Sequence, residues 1–279
     1  MNRLKNYIQP NYRQQPRRRS TVDDNYHSYL NRVAKLTMPA TYDSQVNNFQ
    51  ESPKFKLQGQ QRLPEKFPGY SIITPPAAED RVNQAFYQNL QNCQQQLVKK
   101  LEPDLIALVK PESLHLTVAD LIWDQSYTAA VNADADFEVK LRQEIADSSK
   151  SYQESNSQPV RWQIMGLMLR PRAIAVSLVP CDENSYDRMI AYRRAIYQNP
   201  GLMDLSIEQQ YYFTAHITIA YFGNVAQSFD HANFSHLLQD INLQWIDQPQ
   251  ELSISQVELR SFSDMSNYHR EADWPVVKL

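Results

Sequence analysis

The sequence predicts an α+β fold, and three observations lead to that prediction. Helical periodicities are interleaved with short apolar runs that have the length and composition of β-strands. Two of these runs flank Arg170-Pro-Arg172 as a hairpin would, so antiparallel pairing is expected. A regular strand–helix–strand series is absent, and the five glycines form no G-x-G-x-x-G or G-x-x-x-x-G-K motif. We therefore expect helices on antiparallel or mixed sheets, without a Rossmann or P-loop nucleotide site.

The elements follow in order along the chain. A short helix is predicted at 26–34, and residues 39–68 are rich in Pro and Gln and lack periodicity. Strands are predicted at 69–74, 105–109, 114–123, 160–169, 173–179, 215–222 and 252–262. Helices are predicted at 79–101, 137–146, 183–198 and 229–238. Gln94, Gln95 and Gln96 are expected on the solvated face of the first of these helices.

Length and composition bound the protein class. The 279 residues suit one sizeable domain or two closely packed lobes. Two cysteines cannot form a disulfide framework or a Cys-rich zinc site, which favours a reducing, cytoplasmic location. No apolar run reaches the roughly 18–20 residues of a membrane-spanning helix, and no secretory signal is recognisable. We also expect a monomer.

Residues 1–65 differ in composition from the rest. Six cations lie in the first 19 residues without one acid, which leaves 22 bases and 31 acids, a net charge of −9, for the remainder. We predict that residues 1–65 form a basic, Pro/Gln-rich N-terminal extension that wraps onto, or trails from, a folded domain at 66–279. The basic arm is either solvated and disordered or makes a weak contact with RNA or another anionic surface.

Two matched segments carry the chemistry of the chain. Ser113-Leu-His115-Leu-Thr117-Val-Ala119 and Thr214-Ala-His216-Ile-Thr218-Ile-Ala220 share one pattern, which is hydroxyl, apolar, His, apolar, Thr, apolar, Ala. Because alternate residues of a strand share a face, each His, its Thr and the following Ala should point one way. A single histidine of this kind is commonly a core residue bonded to a backbone carbonyl. Recurrence in both halves instead favours one shared site.

This set of side chains suits phosphodiester chemistry. A neutral imidazole can take a proton from a nucleophile while a second, protonated imidazole donates one to the leaving oxygen. Threonine hydroxyls can donate to the non-bridging phosphate oxygens. Neither motif supplies a cluster with metal-ligand spacing, so no metal and no cofactor are predicted. Nearby Glu112, Asp120 and Asp124 are interpreted as turn or solvent-facing residues, with orientation of a histidine as the alternative role.

The paired tetrads H-L-T-V and H-I-T-I resemble the two H-x-[ST]-h motifs of the 2H phosphoesterase superfamily. The resemblance implies a bilobal α+β fold, pseudo-two-fold duplicated, with flanking helices and a central groove, its lobes at about 66–158 and 159–279. It implies His115 and His216 as catalytic residues and Thr117 and Thr218 as phosphate ligands. The implied reaction is metal-independent hydrolysis, or reverse ligation, of a cyclic phosphodiester in a nucleotide or RNA end. A non-catalytic module that binds nucleotides or RNA ends on the same fold is the alternative.

Further candidates surround the motifs. Ser113 and Thr214 are candidates for orienting the histidines, and Tyr221 and Tyr70, with Tyr127, for stacking on a base. Arg170 and Arg172 either steer a phosphate or form an exposed hairpin tip.

Overall fold

A computed structural model describes residues 23–102, 104–152, 158–225 and 230–279. Within these ranges the α-helices are α1 (Tyr26–Leu36), α2 (Pro39–Gln45), α3 (Gln84–Lys100), α4 (Asp124–Ala133), α5 (Phe137–Ser151), α6 (Glu183–Tyr197), α7 (Pro200–Asp204) and α8 (His231–Asp247). The strands are β1 (Phe55–Gln58), β2 (Gln61–Pro64), β3 (Gly69–Ile73), β4 (Ile106–Leu108), β5 (Thr117–Trp123), β6 (Val160–Arg170), β7 (Ala173–Pro180), β8 (His216–Phe222), β9 (Glu251–Ile254), β10 (Gln256–Asp264), β11 (Asn267–His269) and β12 (Val276–Lys278).

The strands pair into three sheets. The first sheet has the order β11–β10–β3–β5, with β12 also paired to β10, and the second has the order β4–β8–β7–β6–β9. Strands β1 and β2 form a separate hairpin. Every described pairing is antiparallel. The predicted bilobal α+β fold is confirmed, with one motif strand, β5 or β8, in each large sheet.

The two large sheets exchange strands between the halves of the chain. Strand β4 precedes β5 in sequence but pairs with β8 in the second sheet, whereas the C-terminal strands β10, β11 and β12 belong to the first. The single strand predicted at 252–262 is wrong, because it divides at Ser255 into β9 and β10 of different sheets. The buried positions shift phase there, from Leu252 and Ile254 to Val257 and Leu259. The lobe boundaries at about residue 158 stay a prediction.

The described part of the N-terminal extension packs onto the second sheet. Tyr29 and Tyr42 are fully buried, and their hydroxyls donate to the carbonyls of Leu178 and Leu167 at 2.8 and 2.6 Å. These apolar residues are too sparse to produce a periodic pattern, yet each one covers a strand. The arm at residues 1–22, including its predicted RNA contact, lies outside the described residues, and the boundary at residue 65 stays a prediction.

Most helix predictions hold, with shifted ends. Helix α3 begins at Gln84 rather than at residue 79, because the Asp80 carboxylate accepts from the amides of Val82 and Asn83 in a preceding turn. Helix α4 was not predicted, because it buries no residue and so has no apolar periodicity. Helix α8 continues well beyond residue 238. None of the helices in the described ranges has the length and apolar character needed to cross a bilayer.

Candidate active site

The two motifs take up equivalent positions in the two large sheets. His115 lies two residues before β5, which begins at Thr117 rather than at the predicted residue 114, and His216 begins β8, with Thr218 two residues later. All four side chains are partly exposed. The apolar residues next to them in the tetrads are fully buried, namely Leu116, Val118, Ile217 and Ile219. Each His and its Thr therefore lie on the accessible side of a strand whose other side packs into the core.

A backbone carbonyl orients each imidazole. His115 Nδ1 lies 2.7 Å from the carbonyl oxygen of Ser113, and His216 Nδ1 lies 2.6 Å from that of Thr214. A carbonyl oxygen can only accept, so Nδ1 carries a proton in both rings and Nε2 is the atom that can exchange one. The hydroxyls are used elsewhere: that of Ser113 donates to the Lys110 carbonyl, and that of Thr214 accepts from Arg32. The carbonyls of Ser113 and Thr214, rather than their hydroxyls, hold the rings.

Both motif strands bulge directly after the site threonine. In β5, Thr117 pairs with Ile73 and Ala119 with Ile72, so Val118 is the extra residue. In β8, Thr218 pairs with Ala175 and Ala220 with Ile174, so Ile219 takes the same place. The prediction that Ala119 and Ala220 continue the face of the His and Thr is wrong, because a bulge reverses the alternation of side chains. Asp120 and Tyr221 occupy that face instead.

A buried polar side chain stabilises each bulge. The Arg193 guanidinium on α6 donates to the Val118 carbonyl, and the Gln94 amide on α3 donates to the Ile219 carbonyl at 2.9 Å. Both side chains come from residues that are almost completely buried, 2% and 1% exposed. The expected solvation of Gln94 is therefore wrong. Its run of three glutamines gave no signal that one of them faces the core.

The charge of Asp120 acts on both histidines. Its carboxylate accepts from the hydroxyls of Tyr211 and Ser71, and its negative charge raises the pKa of both His115 and His216. Asp120 therefore acts on the charge of the histidines. Orientation of a histidine, the alternative role, is performed by the carbonyls of Ser113 and Thr214 instead.

Burial keeps both histidines neutral. It lowers the pKa of His115 to about 4, against the opposing effects of the Ser113 carbonyl and Asp120, and a charge on His216 lowers that pKa further. Burial also lowers the pKa of His216, and the positive charges of Arg170 and Lys54 add to that effect. A charge on His216 acts on His115, so the two rings lie within electrostatic range of each other. That they form one site stays a prediction.

Of the three predicted stacking tyrosines, Tyr221 lies on the face of the His/Thr pairs, and Tyr70 and Tyr127 do not. The Tyr221 ring is 9% exposed and lies against Phe55, with ring centroids 5.3 Å apart. Tyr70 is 2% exposed and donates to Glu138, as does Tyr127. Since Ser71 contacts Asp120, its neighbour Tyr70 points to the opposite face of the sheet. The structure does not bring Tyr70 or Tyr127 to the histidines.

An aromatic residue that the sequence analysis missed does reach the site. The Tyr268 ring on β11 lies edge-on to the His115 imidazole, with centroids 4.3 Å apart. Tyr268 also lines a cavity of about 450 Å³, together with Phe262, Tyr70 and Tyr127; His115 and His216 do not line it. No motif marks Tyr268, which is far from His115 in sequence and reaches it only through the pairing of β10 with β3 and β11.

Within the described ranges, no three His, Cys, Asp or Glu side chains cluster in a way that could hold a metal ion. Independence from metal ions remains a prediction about the reaction.

The fold has counterparts among solved structures. The chain is similar to ATU0111, a conserved protein of unknown function from Agrobacterium tumefaciens, with a TM-score of 0.58, 14% identity and coverage of 82% of this chain and 96% of that one. Looser likenesses include E. coli LigT complexed with 3′-AMP (TM-score 0.39, 13% identity, 77% and 96% coverage) and TT0787 of Thermus thermophilus (0.40, 13%, 71% and 98%). No family model and no curated protein matches the sequence.

The similarity to ATU0111 shows a shared fold. At these identities and scores, none of the three structures carries an argument about activity, so the functional case depends on the residues of the site.

Proposed function

We propose that this protein is a 2H-type phosphoesterase that hydrolyses, or in reverse forms, a cyclic phosphodiester in a nucleotide or RNA end without a metal ion. One observation carries the proposal: two His/Thr pairs lie at the starts of equivalent bulged strands, each imidazole is anchored through Nδ1, and a charge on His216 acts on His115. Two anchored imidazoles with reactive Nε2 atoms provide a general base and a general acid.

The proposed reaction proceeds by in-line displacement at phosphorus. Nε2 of one histidine takes a proton from water while the water oxygen forms a bond to phosphorus. The bond from phosphorus to one ribose oxygen breaks, and Nε2 of the other histidine gives that oxygen a proton. The product is a phosphomonoester, and reversal of these steps closes the cycle and releases water. An alcohol that replaces water as the nucleophile is joined to the phosphate by the same ring-opening step. Thr117 and Thr218 donate to the non-bridging oxygens, where charge develops.

In this scheme, binding of the substrate produces the protonated histidine that the reaction needs as its acid. Both imidazoles are neutral in the free protein near pH 7, because their pKa values lie below the usual 6.5. A bound phosphodiester anion raises the pKa of an adjacent imidazole and so favours one protonated ring. Either histidine can be the acid, and the roles exchange when the reaction direction is reversed.

The lowered pKa values also favour a second candidate, a module that binds nucleotides or RNA ends without turnover. If a bound phosphate does not return one imidazole to its protonated form, the site holds the anion through its threonines and lacks the acid. The fold and the motifs are the same in both cases.

Hydrolysis of adenosine 2′,3′-cyclic phosphate in excess EDTA tests the proposal. We expect turnover to a single monoester, identified by ³¹P NMR, with a His115→Asn, His216→Asn double variant as the blank. Saturable binding of adenosine 3′-monophosphate without turnover of any cyclic phosphate would favour the binding module. Activity that chelation abolishes and a divalent ion restores would refute the two-histidine mechanism.

A further inference from the structure

Corresponding positions in the two sheets carry an arginine. In each large sheet, three neighbouring strands contribute one residue each to a row of paired residues. Each row begins two residues after the bulge of the motif strand, on the face that carries the site threonine. The rows are Asp120–Ser71–Arg260 across β5, β3 and β10, and Tyr221–Ala173–Arg170 across β8, β7 and β6. Paired residues of neighbouring strands share a face. Arg260 therefore occupies the same position relative to His115 in the first sheet as Arg170 occupies relative to His216 in the second. The charge of each arginine lowers the pKa of the histidine of its own sheet.

The two arginines differ in their partners. Arg260 is 4% exposed and is neutralised by Glu258, two residues earlier on β10, and by Glu79, whose oxygen lies 2.8 Å from Nη1. The residue two positions before Arg170 is Met168, which supplies no charge. Among the residues that the structure describes, no carboxylate or carbonyl binds the Arg170 side chain, which is exposed. Arg170 in the second sheet therefore has no described anionic partner, whereas the equivalent Arg260 in the first sheet is paired with two carboxylates.

A second free cation comes from the N-terminal extension. The ammonium of Lys54, directly before β1, lies 4.4 Å from the ring centroid of Phe67 and 5.3 Å from that of Tyr221. Within the described ranges it has no ion pair or hydrogen bond, although Lys56 nearby is paired with Glu65 at 3.1 Å. Tyr221 belongs to the Arg170 row, so Lys54 and Arg170 approach the same half of the site, and both act on His216.

Charge balance indicates what these cations bind. A cyclic phosphodiester carries one negative charge, which a single protonated histidine already matches. The charges of Asp120 and Asp124 offset part of the charge of Lys54, whereas Arg170 has no anionic partner among the described residues, so positive charge on this half of the site is left for a further anion. We propose that Arg170 and Lys54 form an anion subsite for a second phosphate group of the substrate, next to the reacting phosphate. The inference rests on the proposed function, because it takes the reacting phosphate to lie between the histidines.

Ligand pairs that differ by one phosphate test this subsite. The full chain is titrated calorimetrically with adenosine 3′-monophosphate and with adenosine 3′,5′-bisphosphate, at about 0.15 M salt to screen distant charges. The preference ratio is the Kd of the monophosphate divided by the Kd of the bisphosphate. We expect the bisphosphate to bind about tenfold more tightly or better, as a charge-assisted hydrogen bond allows. Arg170→Gln and Lys54→Gln should each reduce the ratio severalfold. The matched controls Arg172→Gln and Lys56→Gln remove equal charge from neighbouring positions and should preserve it.

Three results would overturn the subsite: equal binding of the two ligands by the wild type, equal weakening of both ligands by Arg170→Gln, or equal effects of the test and control variants. Lys54→Arg, which keeps the charge, should retain the preference, and thermal unfolding checks that each variant is folded. Hydrolysis of the 5′-phosphorylated cyclic nucleotide and of a dinucleotide with a cyclic end shows whether the second phosphate is terminal or part of a chain. Binding with the expected ratio but no turnover contradicts the proposed function alone, whereas turnover without a ratio contradicts the subsite alone.

Discussion

The hydroxyl of Tyr29 accepts a hydrogen bond from the backbone amide of Ala215, the residue directly before His216. The N–O distance is 3.0 Å, and the same hydroxyl donates to the carbonyl of Leu178 on β7. A side chain of the N-terminal extension thereby joins β7 to the start of β8, where the second motif begins. The segment with the weakest pattern in the sequence helps to position a histidine of the site.

Removing the Tyr29 hydroxyl should destabilise the protein. Tyr29→Phe leaves the buried Ala215 amide and Leu178 carbonyl without this partner, which we expect to cost about 1–3 kcal/mol of unfolding free energy. Deletion of residues 1–65 removes the whole ring and several other buried apolar groups, so we expect no cooperative unfolding transition. Urea titration followed by circular dichroism measures both effects. A deletion variant that unfolds cooperatively would show that the domain at 66–279 is independent.

Substitution of the four motif residues should separate acid–base roles from phosphate binding. His115→Asn or His216→Asn should lower kcat by about 10²–10⁴-fold, the usual range for general acid–base catalysis. Thr117→Val and Thr218→Val should lower kcat less and should also weaken binding of adenosine 3′-monophosphate, since each removes a hydrogen bond to an anion. Steady-state kinetics with the cyclic nucleotide and calorimetry with the monophosphate give the two readouts. Full activity of either histidine variant would exclude that residue from the mechanism.

The pH dependence of kcat/KM should be bell-shaped with an acidic maximum. The free enzyme must carry one proton on its two Nε2 atoms, a state that is most populated between the two coupled pKa values. Both values are lowered, that of His115 to about 4, so the maximum should lie below pH 6.5. The maximum of kcat should lie at higher pH, because the bound anion raises the pKa of an adjacent imidazole. Identical maxima for the two constants would contradict this role of the substrate.

Stability should fall in the same acidic range. Unfolded His115 binds a proton near pH 6.5, whereas the folded protein binds it only near pH 4. Between these values the unfolded state holds more protons, so the unfolding free energy decreases as pH falls. His115→Asn removes this contribution and should show a smaller decrease between pH 6.5 and 4 in urea titrations at fixed salt. Equal slopes for the variant and the wild type would mean that His115 titrates normally.

The buried Gln94 amide should matter to both stability and activity. Gln94→Leu leaves the Val109 carbonyl without the amide hydrogen bond it receives at 2.8 Å and removes one donor from the Ile219 bulge. We expect a loss of about 1–3 kcal/mol and a lower kcat, since the bulge positions Tyr221 relative to Thr218. Gln95→Leu, at an exposed position of the same helix, is the control and should change neither quantity. A Gln94→Leu enzyme that is destabilised but retains its kcat would restrict the residue to a structural role.

The sequence by itself determined the α+β class and the order of most elements, and it indicated the four central residues of the candidate site. Those features depend on local chemistry: alternation along a strand sets which residues share a face, and the recurrence of one pattern in both halves marks a common site. His115, Thr117, His216 and Thr218 could therefore be proposed as site residues without coordinates. The hydrogen bond from each imidazole to the backbone carbonyl two residues earlier is also a local contact.

Only the tertiary structure decided which other residues reach that site. The bulges after Thr117 and Thr218 depend on pairing with β3 and β7, and they bring Asp120 and Tyr221 to the polar face in place of two alanines. Contributions from distant segments, among them Lys54, depend on sheets that combine strands from both halves of the chain. A local pattern cannot encode these contacts, because the free energy that fixes them comes from burying distant apolar surfaces against one another.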